Sequence, residues 1–146
     1  MVEVLVAISI ITVSILAAMS VAQKSVHLSR QAFHATQAAF LLEEGAEAVR
    51  ILRDNAWSNI SSLTPNTNYY PTFSSGTWIL STTPNTIGIF IRTVSMALVN
   101  RDDTTKDISS IGTDDAGTKL VMVSISWTEG GMTITKTLPF YIINIF

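Results

Sequence analysis

The chain has 146 residues, of which 47% are hydrophobic and only 14% charged, and its formal net charge is −2. It contains no cysteine, which excludes disulfides, cysteine-ligated zinc and a thiol nucleophile. It also lacks the clusters of Lys and Arg that sequence-independent nucleic-acid binding requires. The length allows one domain with a modest core, and the hydrophobic excess lies at the two ends of the chain.

The N-terminal segment is uncharged from Val4 to Ala22, between Glu3 and Lys24. As a helix this segment would be about 28 Å long, close to the roughly 30 Å of a bilayer core. Its hydroxyl side chains can bond back to helix carbonyls and allow close helix–helix approach. Three interpretations remain open: a cleavable secretory signal, which the acidic start and the long apolar run disfavour, a plain transmembrane anchor, and a helix that continues beyond the apolar segment.

The helical pattern continues well past that segment. No Gly or Pro occurs before Gly45, so one helix is predicted from about residue 1 to 54, roughly 80 Å long. Small and aliphatic residues at alternating spacings of four and three predict the line that packs on the rest of the chain. This helix–sheet line comprises Leu28, Ala32, Ala35, Ala39, Leu42, Ala46 and Val49.

A second line of large side chains, Val26, Phe33 and Phe40, repeats every seven residues on a neighbouring face. It predicts contacts with other copies of the chain; the alternative is that the first line covers the β domain and the second is incidental. About ninety remaining residues cannot cover so long a helix, so its first half requires lipid or further copies. The predicted subunit-interface residues are Glu3, Val4, Leu5, Ile8, Ile11, Ile15, Met19, Val26, Phe33 and Phe40.

The chain is therefore divided into a hydrophobic half-helix (1–24), an amphipathic half-helix (25–54) and a globular β domain (55–146). Alternating apolar residues predict strands at 77–81, 87–99, 120–127 and 132–138, with polar loops at 55–76 and 100–118. Gly130-Gly131 predicts a hairpin turn, and Pro139 limits the last strand or marks a sheet edge. The apolar tail, residues 140–146, is expected in a buried edge strand or under the helix. The predicted fold class is α+β: a long N-terminal helix packed on a small antiparallel sheet of about four strands.

The first residues, Met1-Val2-Glu3-Val4-Leu5-Val6-Ala7-Ile8, resemble the N-terminus of mature type IV pilins and of the related type II secretion pseudopilins. Residues 42–57 and the hairpin around 126–131 are similar to segments of minor-pilin-like sequences. Residues 58–118 carry little of the resemblance. Three features depart from the family: its glutamate is usually the fifth mature residue, its helix often carries Gly and Pro, and many members close a C-terminal loop with a disulfide.

The resemblance implies a structural subunit without a cofactor. Such subunits reside in the cytoplasmic membrane as single-pass proteins, a prepilin peptidase removes a leader, and the pilus assembly machinery extracts them into a homo-oligomeric filament on the cell surface. It also implies that Glu3 faces the N-terminal amine of a neighbouring subunit. An ionised carboxylate in an apolar bundle is costly unless paired, so such a contact can specify the register of assembly. The alternative is a first-turn glutamate favoured by the helix dipole.

Motifs for enzymatic or metal chemistry are weak. The sequence contains no G-x-S-x-G elbow, P-loop or H-E-x-x-H motif, so no enzyme is expected. His27 and His34 lie seven residues apart on one helical face, where they fit polar helix positions better than a metal site. A group of loop aspartates offers oxygen ligands for calcium, although the spacing fits no EF-hand and a solvated loop is the alternative. These are Asp102, Asp103, Asp107, Asp114 and Asp115.

Polar residues near the end of the helix have two interpretations. Glu43, Glu44 and Glu47, followed by Arg50 and Arg53, form either a solvated helix face or a set of pairs between subunits. The prediction for the whole chain is a type IV pilus subunit that serves adhesion, motility or uptake. The alternatives are a pseudopilin or minor pilin of a secretion or competence system, and an extracellular binding domain on a plain membrane anchor.

Overall fold

A computed structural model describes residues 1–145 and contains two compact units, Met1–Gln37 and a second that begins at Ala38. Helix α1 (Val2–Asn55) supplies nearly all of the first unit and the first part of the second. Its bounds agree with the predicted helix to within one residue at each end. The absence of Pro and the late position of the first Gly, Gly45, account for this uninterrupted length.

The second unit continues with a single-turn helix and seven strands. These elements are α2 (Ser58–Ser61), β1 (Tyr70–Ser74), β2 (Thr77–Ser81), β3 (Thr86–Ile87), β4 (Phe90–Arg101), β5 (Ile108–Ser109), β6 (Thr113–Glu129) and β7 (Met132–Ile143). Strands β1 and β2 form an antiparallel hairpin of their own. The main sheet has the order β3-β4-β6-β7, and β5 pairs with the end of β4; all of these pairs are antiparallel.

The core lies between the sheet and the part of α1 that belongs to the second unit. Alternating residues of β6 point to this core, where Val121, Val123 and Ile125 are completely buried. From the helix, Ala46, Val49 and Leu52 pack into the same cluster. A smaller cluster joins Ala38 of the helix to Phe90, Ile125 and Trp127. The rings of Phe90 and Trp127 meet edge to face, with their centroids 5.5 Å apart. The α+β class with a long N-terminal helix on an antiparallel sheet is thus confirmed.

The predicted count of about four strands is too low. The segment around Tyr70, predicted as loop, forms β1, because its partner β2 supplies a ladder that local sequence does not reveal. The predicted strand at 87–99 is two strands, since Gly88 turns the chain at a positive φ between β3 and β4. The predicted loop at 100–118 contains β5 and the first residues of β6, which pair with the end of β4 beyond a bulge.

The C-terminal half of the sheet agrees with the predictions. Gly130 and Gly131 both have positive φ and form the turn between β6 and β7. β7 is an edge strand, so Pro139 removes no ladder hydrogen bond from a central position. The tail continues this strand to Ile143, and its expected burial is confirmed only in part: Ile142 is buried in the core, whereas Tyr141, Ile143 and Ile145 are exposed. The last residue of the predicted tail, Phe146, lies outside the described residues.

The predicted helix–sheet line is right at one end and wrong at the other. Ala46 and Val49 are buried and Leu42 is half-buried against the core, whereas the earlier members Leu28, Ala32, Ala35 and Ala39 are exposed. For Ala39 the reason is helical geometry, because a seven-residue repeat does not match the period of a straight helix and drifts by about 20° per heptad. Ala38, eleven residues before Val49 and thus close to three full turns away, is buried in place of Ala39.

Candidate subunit and membrane interface

The first unit exposes a continuous apolar surface. Every large aliphatic or aromatic side chain from Val2 to Phe33 is exposed, and Phe33 itself is 60% exposed. This run covers about 47 Å of helix, which exceeds the roughly 30 Å core of a bilayer. The predicted interface residues Val4, Leu5, Ile8, Ile11, Ile15, Met19, Val26, Phe33 and Phe40 are all exposed in the isolated chain.

Three of the four hydroxyl side chains of the apolar segment form hydrogen bonds within the helix. The hydroxyls of Ser9, Thr12 and Ser14 donate to the carbonyl oxygens of the residues four positions earlier, each at 2.8 Å. These bonds remove the cost of placing a free hydroxyl in an apolar medium. The segment is therefore apolar in effect as well as in composition.

By length and composition, α1 is a helix that can cross a membrane. The most apolar stretch has none of its residues buried within the chain. A single apolar N-terminal helix of this kind is compatible with a membrane anchor. Surface exposure of such a large apolar area is not stable in water, so lipid, detergent or protein must cover it.

The first unit has three charged side chains: Glu3 and Lys24 at the two ends of the apolar segment, and Arg30 beyond it. Glu3 is in the first turn of α1, where a carboxylate is favoured by the helix dipole. Lys24 follows the apolar segment, and both side chains are exposed. Among residues 1–145 neither of them forms a hydrogen bond or an ion pair.

In the second unit, two charged side chains are buried, Arg92 and Lys119, and Arg92 is the more deeply buried of the two. Arg92 of β4 is only 3% exposed and donates to Glu44 Oε2 at 2.6 Å, with longer bonds to the carbonyl oxygens of Leu41 and Pro71 at 3.4 Å. Its guanidinium also lies over the Trp78 ring at 5.3 Å. Because a buried charge without a partner is strongly unfavourable, Glu44 fixes α1 to the centre of the sheet.

Gly45 allows this close approach of helix and sheet. A Cβ atom at this position would lie 2.8 Å from Val123 Cγ1 and 3.1 Å from Arg92 Cδ. Both distances are shorter than ordinary carbon–carbon contacts. The glycine that ends the unbroken part of the sequence pattern therefore does not end the helix, and instead marks its closest contact with the sheet.

Arg92 and its pair with Glu44 were not predicted. The sequence carries a signal for them: Arg92 occupies the same alternating face of its strand as Phe90, Val94 and Met96, so a sheet with that face buried also buries the arginine. Glu44 is 49% exposed and also pairs with Arg92 of its own chain, a contact that neither interpretation of the helix carboxylates included. Glu47 pairs with Arg50 at 3.2 Å on the surface.

Three of the aspartates between residues 102 and 115 form hydrogen bonds within their own chain. Asp102 accepts the backbone N–H groups of Thr104 and Thr105, which lower the pKa of its carboxyl group. Asp115 accepts the Thr118 hydroxyl and the Arg101 guanidinium, both at 2.6 Å, and these bonds lower its pKa to about 2. Asp103 accepts the Thr113 hydroxyl at 2.7 Å.

The described residues contain no group of three or more His, Asp or Glu side chains arranged to hold a metal ion. The weak calcium candidates are therefore not brought together: Asp102, Asp103 and Asp115 have the partners given above, and Asp107 and Asp114 are exposed. In α1, His27 lies 3.3 Å from the Gln31 side chain, Nε2 to Nε2, and His34 is half-buried.

Comparison of the chain with protein-family models, with curated proteins and with solved structures finds no match.

Proposed function

We propose that this chain is a structural subunit of a filament of the type IV pilus kind, assembled by packing of its N-terminal helices and displayed at the cell surface. The proposal combines the sequence resemblance of residues 1–8 with the exposed apolar surface of α1. In it the second unit forms the outside of the filament and performs no catalysis. Before assembly, the chain resides in the cytoplasmic membrane through α1.

The observation that carries the proposal is the length of the exposed apolar surface. A bilayer core of roughly 30 Å covers only part of the run from Val2 to Phe33. Val26, Leu28 and Phe33 come after the charged Lys24 and would lie in water if lipid were the only cover. Packing against the helices of other copies covers them, and a filament supplies such neighbours to every copy.

The second candidate is a binding domain on a plain membrane anchor, and the membrane-spanning length of α1 favours it equally. The two functions differ in the fate of the chain. An anchored domain remains in the membrane fraction as separate copies, whereas a filament subunit is released in long assemblies by mechanical shear. A pseudopilin or minor pilin would assemble in short or mixed filaments.

Negative-stain electron microscopy of material sheared from cells that express the chain, with mass spectrometry of the sheared protein, tests the proposal. Thin filaments composed mainly of this chain are expected. Filaments composed of another protein, with this chain a minor component, would instead favour a minor pilin. Absence of filaments, with all of the chain left as separate copies in the membrane, would overturn the proposal in favour of the anchored domain.

A further inference from the structure

Two opposite charges bracket the apolar segment of the first unit. Apart from the imidazole of His27, Glu3 and Lys24 are the only ionisable side chains in residues 1–29. They are 21 positions apart, which is about 31 Å along a helix, so they cannot meet within one chain. Both are exposed and unpaired among the described residues, and in an apolar bundle an ionised group without a partner is costly.

We infer that neighbouring copies pack their helices in parallel with an axial displacement of 21 residues, so that Glu3 of one copy pairs with Lys24 of the next. This inference rests on the proposed function, because it requires that the chain assembles through α1. The partner it names is a second copy of this chain. The displacement neutralises both charges at once and repeats without limit from copy to copy, as a filament requires.

Two other arrangements of neighbouring copies are less favourable, because they bring like charges together or leave apolar side chains uncovered. Parallel helices without displacement place Glu3 beside Glu3 and Lys24 beside Lys24, and like charges repel. Antiparallel helices pair both charges but, within the described residues, overlap only from residue 1 to residue 26, which leaves Leu28 and Phe33 uncovered. The displaced parallel arrangement lays residues 4–16 of one copy along residues 25–37 of the next and covers these side chains.

Because the chain has no cysteine, introduced cysteines report the displacement directly. A disulfide requires Cα atoms within about 7 Å, a distance that helical positions 21 residues apart never reach in one chain. The full-length double variant Ala7→Cys/Leu28→Cys, mildly oxidised in the cells that express it, is expected to give a ladder of linked multimers. The matched control Ala7→Cys/Ser20→Cys, whose positions are 13 apart, is expected to give at least tenfold fewer multimers.

The other outcomes contradict the inference in distinguishable ways. Disulfide dimers of the control pair without a ladder would show antiparallel packing, and dimers of the single variant Ala7→Cys would show packing without displacement. In both cases, filaments in the sheared fraction would leave the proposed function in place. Absence of both cross-links and filaments would overturn the proposed function together with the displacement.

Charge reversal separates ion pairing from apolar contact. In the Ala7→Cys/Leu28→Cys background, Glu3→Lys is expected to reduce the ladder at least tenfold, because it places two lysines together at every contact. Adding Lys24→Glu restores opposite charges and is expected to restore the ladder. A ladder that survives Glu3→Lys, or that the second reversal does not restore, would overturn the pairing of these two residues.

Discussion

The pair between Arg92 and Glu44 is the most demanding contact in the second unit, because it places a guanidinium among apolar side chains. Its 2.6 Å contact is the shortest of those that Arg92 makes, and the remaining acceptors are carbonyl oxygens at 3.4 Å. The pair therefore stabilises by preventing an unpaired buried charge more than by adding net attraction. The same contact joins residues 48 positions apart and fixes the helix in one register on the sheet.

Glu44→Gln keeps the size of the side chain but removes the charge that faces Arg92. We expect a loss of about 2 kcal/mol in the free energy of unfolding, since the arginine stays buried with only weak acceptors. The measurement is denaturant unfolding of the detergent-solubilised chain, followed by tryptophan fluorescence. Glu47→Gln is the matched control on the next turn; its surface pair is expected to contribute less than about 0.5 kcal/mol. Equal effects of the two variants would contradict the account of Arg92.

Asp115 gives the second unit a dependence on pH. Its pKa is lowered from 3.8 to about 2 by the Thr118 hydroxyl and Arg101, so the ionised form stabilises the fold. This stabilisation is fully present above about pH 4 and is lost as the pH falls towards 2. We expect Asp115→Asn to reduce the change of unfolding midpoint across this pH range, and Asp114→Asn to leave it as in the wild type. An unchanged pH profile in Asp115→Asn would argue against this contact.

At the scale of elements, the sequence predicted what local pattern determines. Unbroken helix formers predicted α1, alternation predicted the central part of β6, and Gly130-Gly131 predicted the β6–β7 turn. Strands β1, β3 and β5 are short, and each exists because a partner distant in sequence or across a tight turn supplies its hydrogen bonds, which no local pattern encodes. Arg92 was missed for a related reason: its burial follows from the face of β4, and its partner lies on another element.

The helix face was predicted only in part because a heptad repeat and a straight helix diverge with distance. The structure places Ala38 on the core side and Ala39 on the exposed side. Ala38→Leu should therefore overpack the cluster with Phe90 and Trp127 and cost about 1–3 kcal/mol. Ala39→Leu should change stability by less than about 0.5 kcal/mol. Thermal unfolding of the two variants shows which face of the helix is packed. A larger loss of stability in Ala39→Leu than in Ala38→Leu would support the predicted helix–sheet line.

For the whole molecule, the main result is a division of roles along one helix. Residues from Ala38 onward bury their apolar face within the second unit, whereas residues up to Gln37 leave theirs exposed. The composition predicted this division, because the chain after the helix is too short to cover all of it. The sequence could not identify what covers the exposed part, since lipid and a second helix present the same apolar surface.

Glu3→Ala tests the contribution of the first-turn carboxylate to assembly. We expect at least a tenfold lower yield of sheared filaments, because the variant leaves a cationic partner unpaired in an apolar bundle. The second unit should remain folded, with unchanged tryptophan fluorescence and unfolding midpoint. Normal filament yield from Glu3→Ala would show that the carboxylate has no role in assembly.

Assembly through α1 requires that other copies of the chain cover the part of the first unit that follows the apolar segment, residues 25–37. The most direct measurement is the maleimide reactivity of Ala32→Cys in intact cells and after dissociation in detergent. Ser110→Cys, in an exposed loop of the second unit, is the control that should react in both states. The account predicts that Ala32→Cys is protected in cells and reacts after dissociation. Equal reactivity in both states would mean that this part of the helix lies in water, and would contradict assembly through α1.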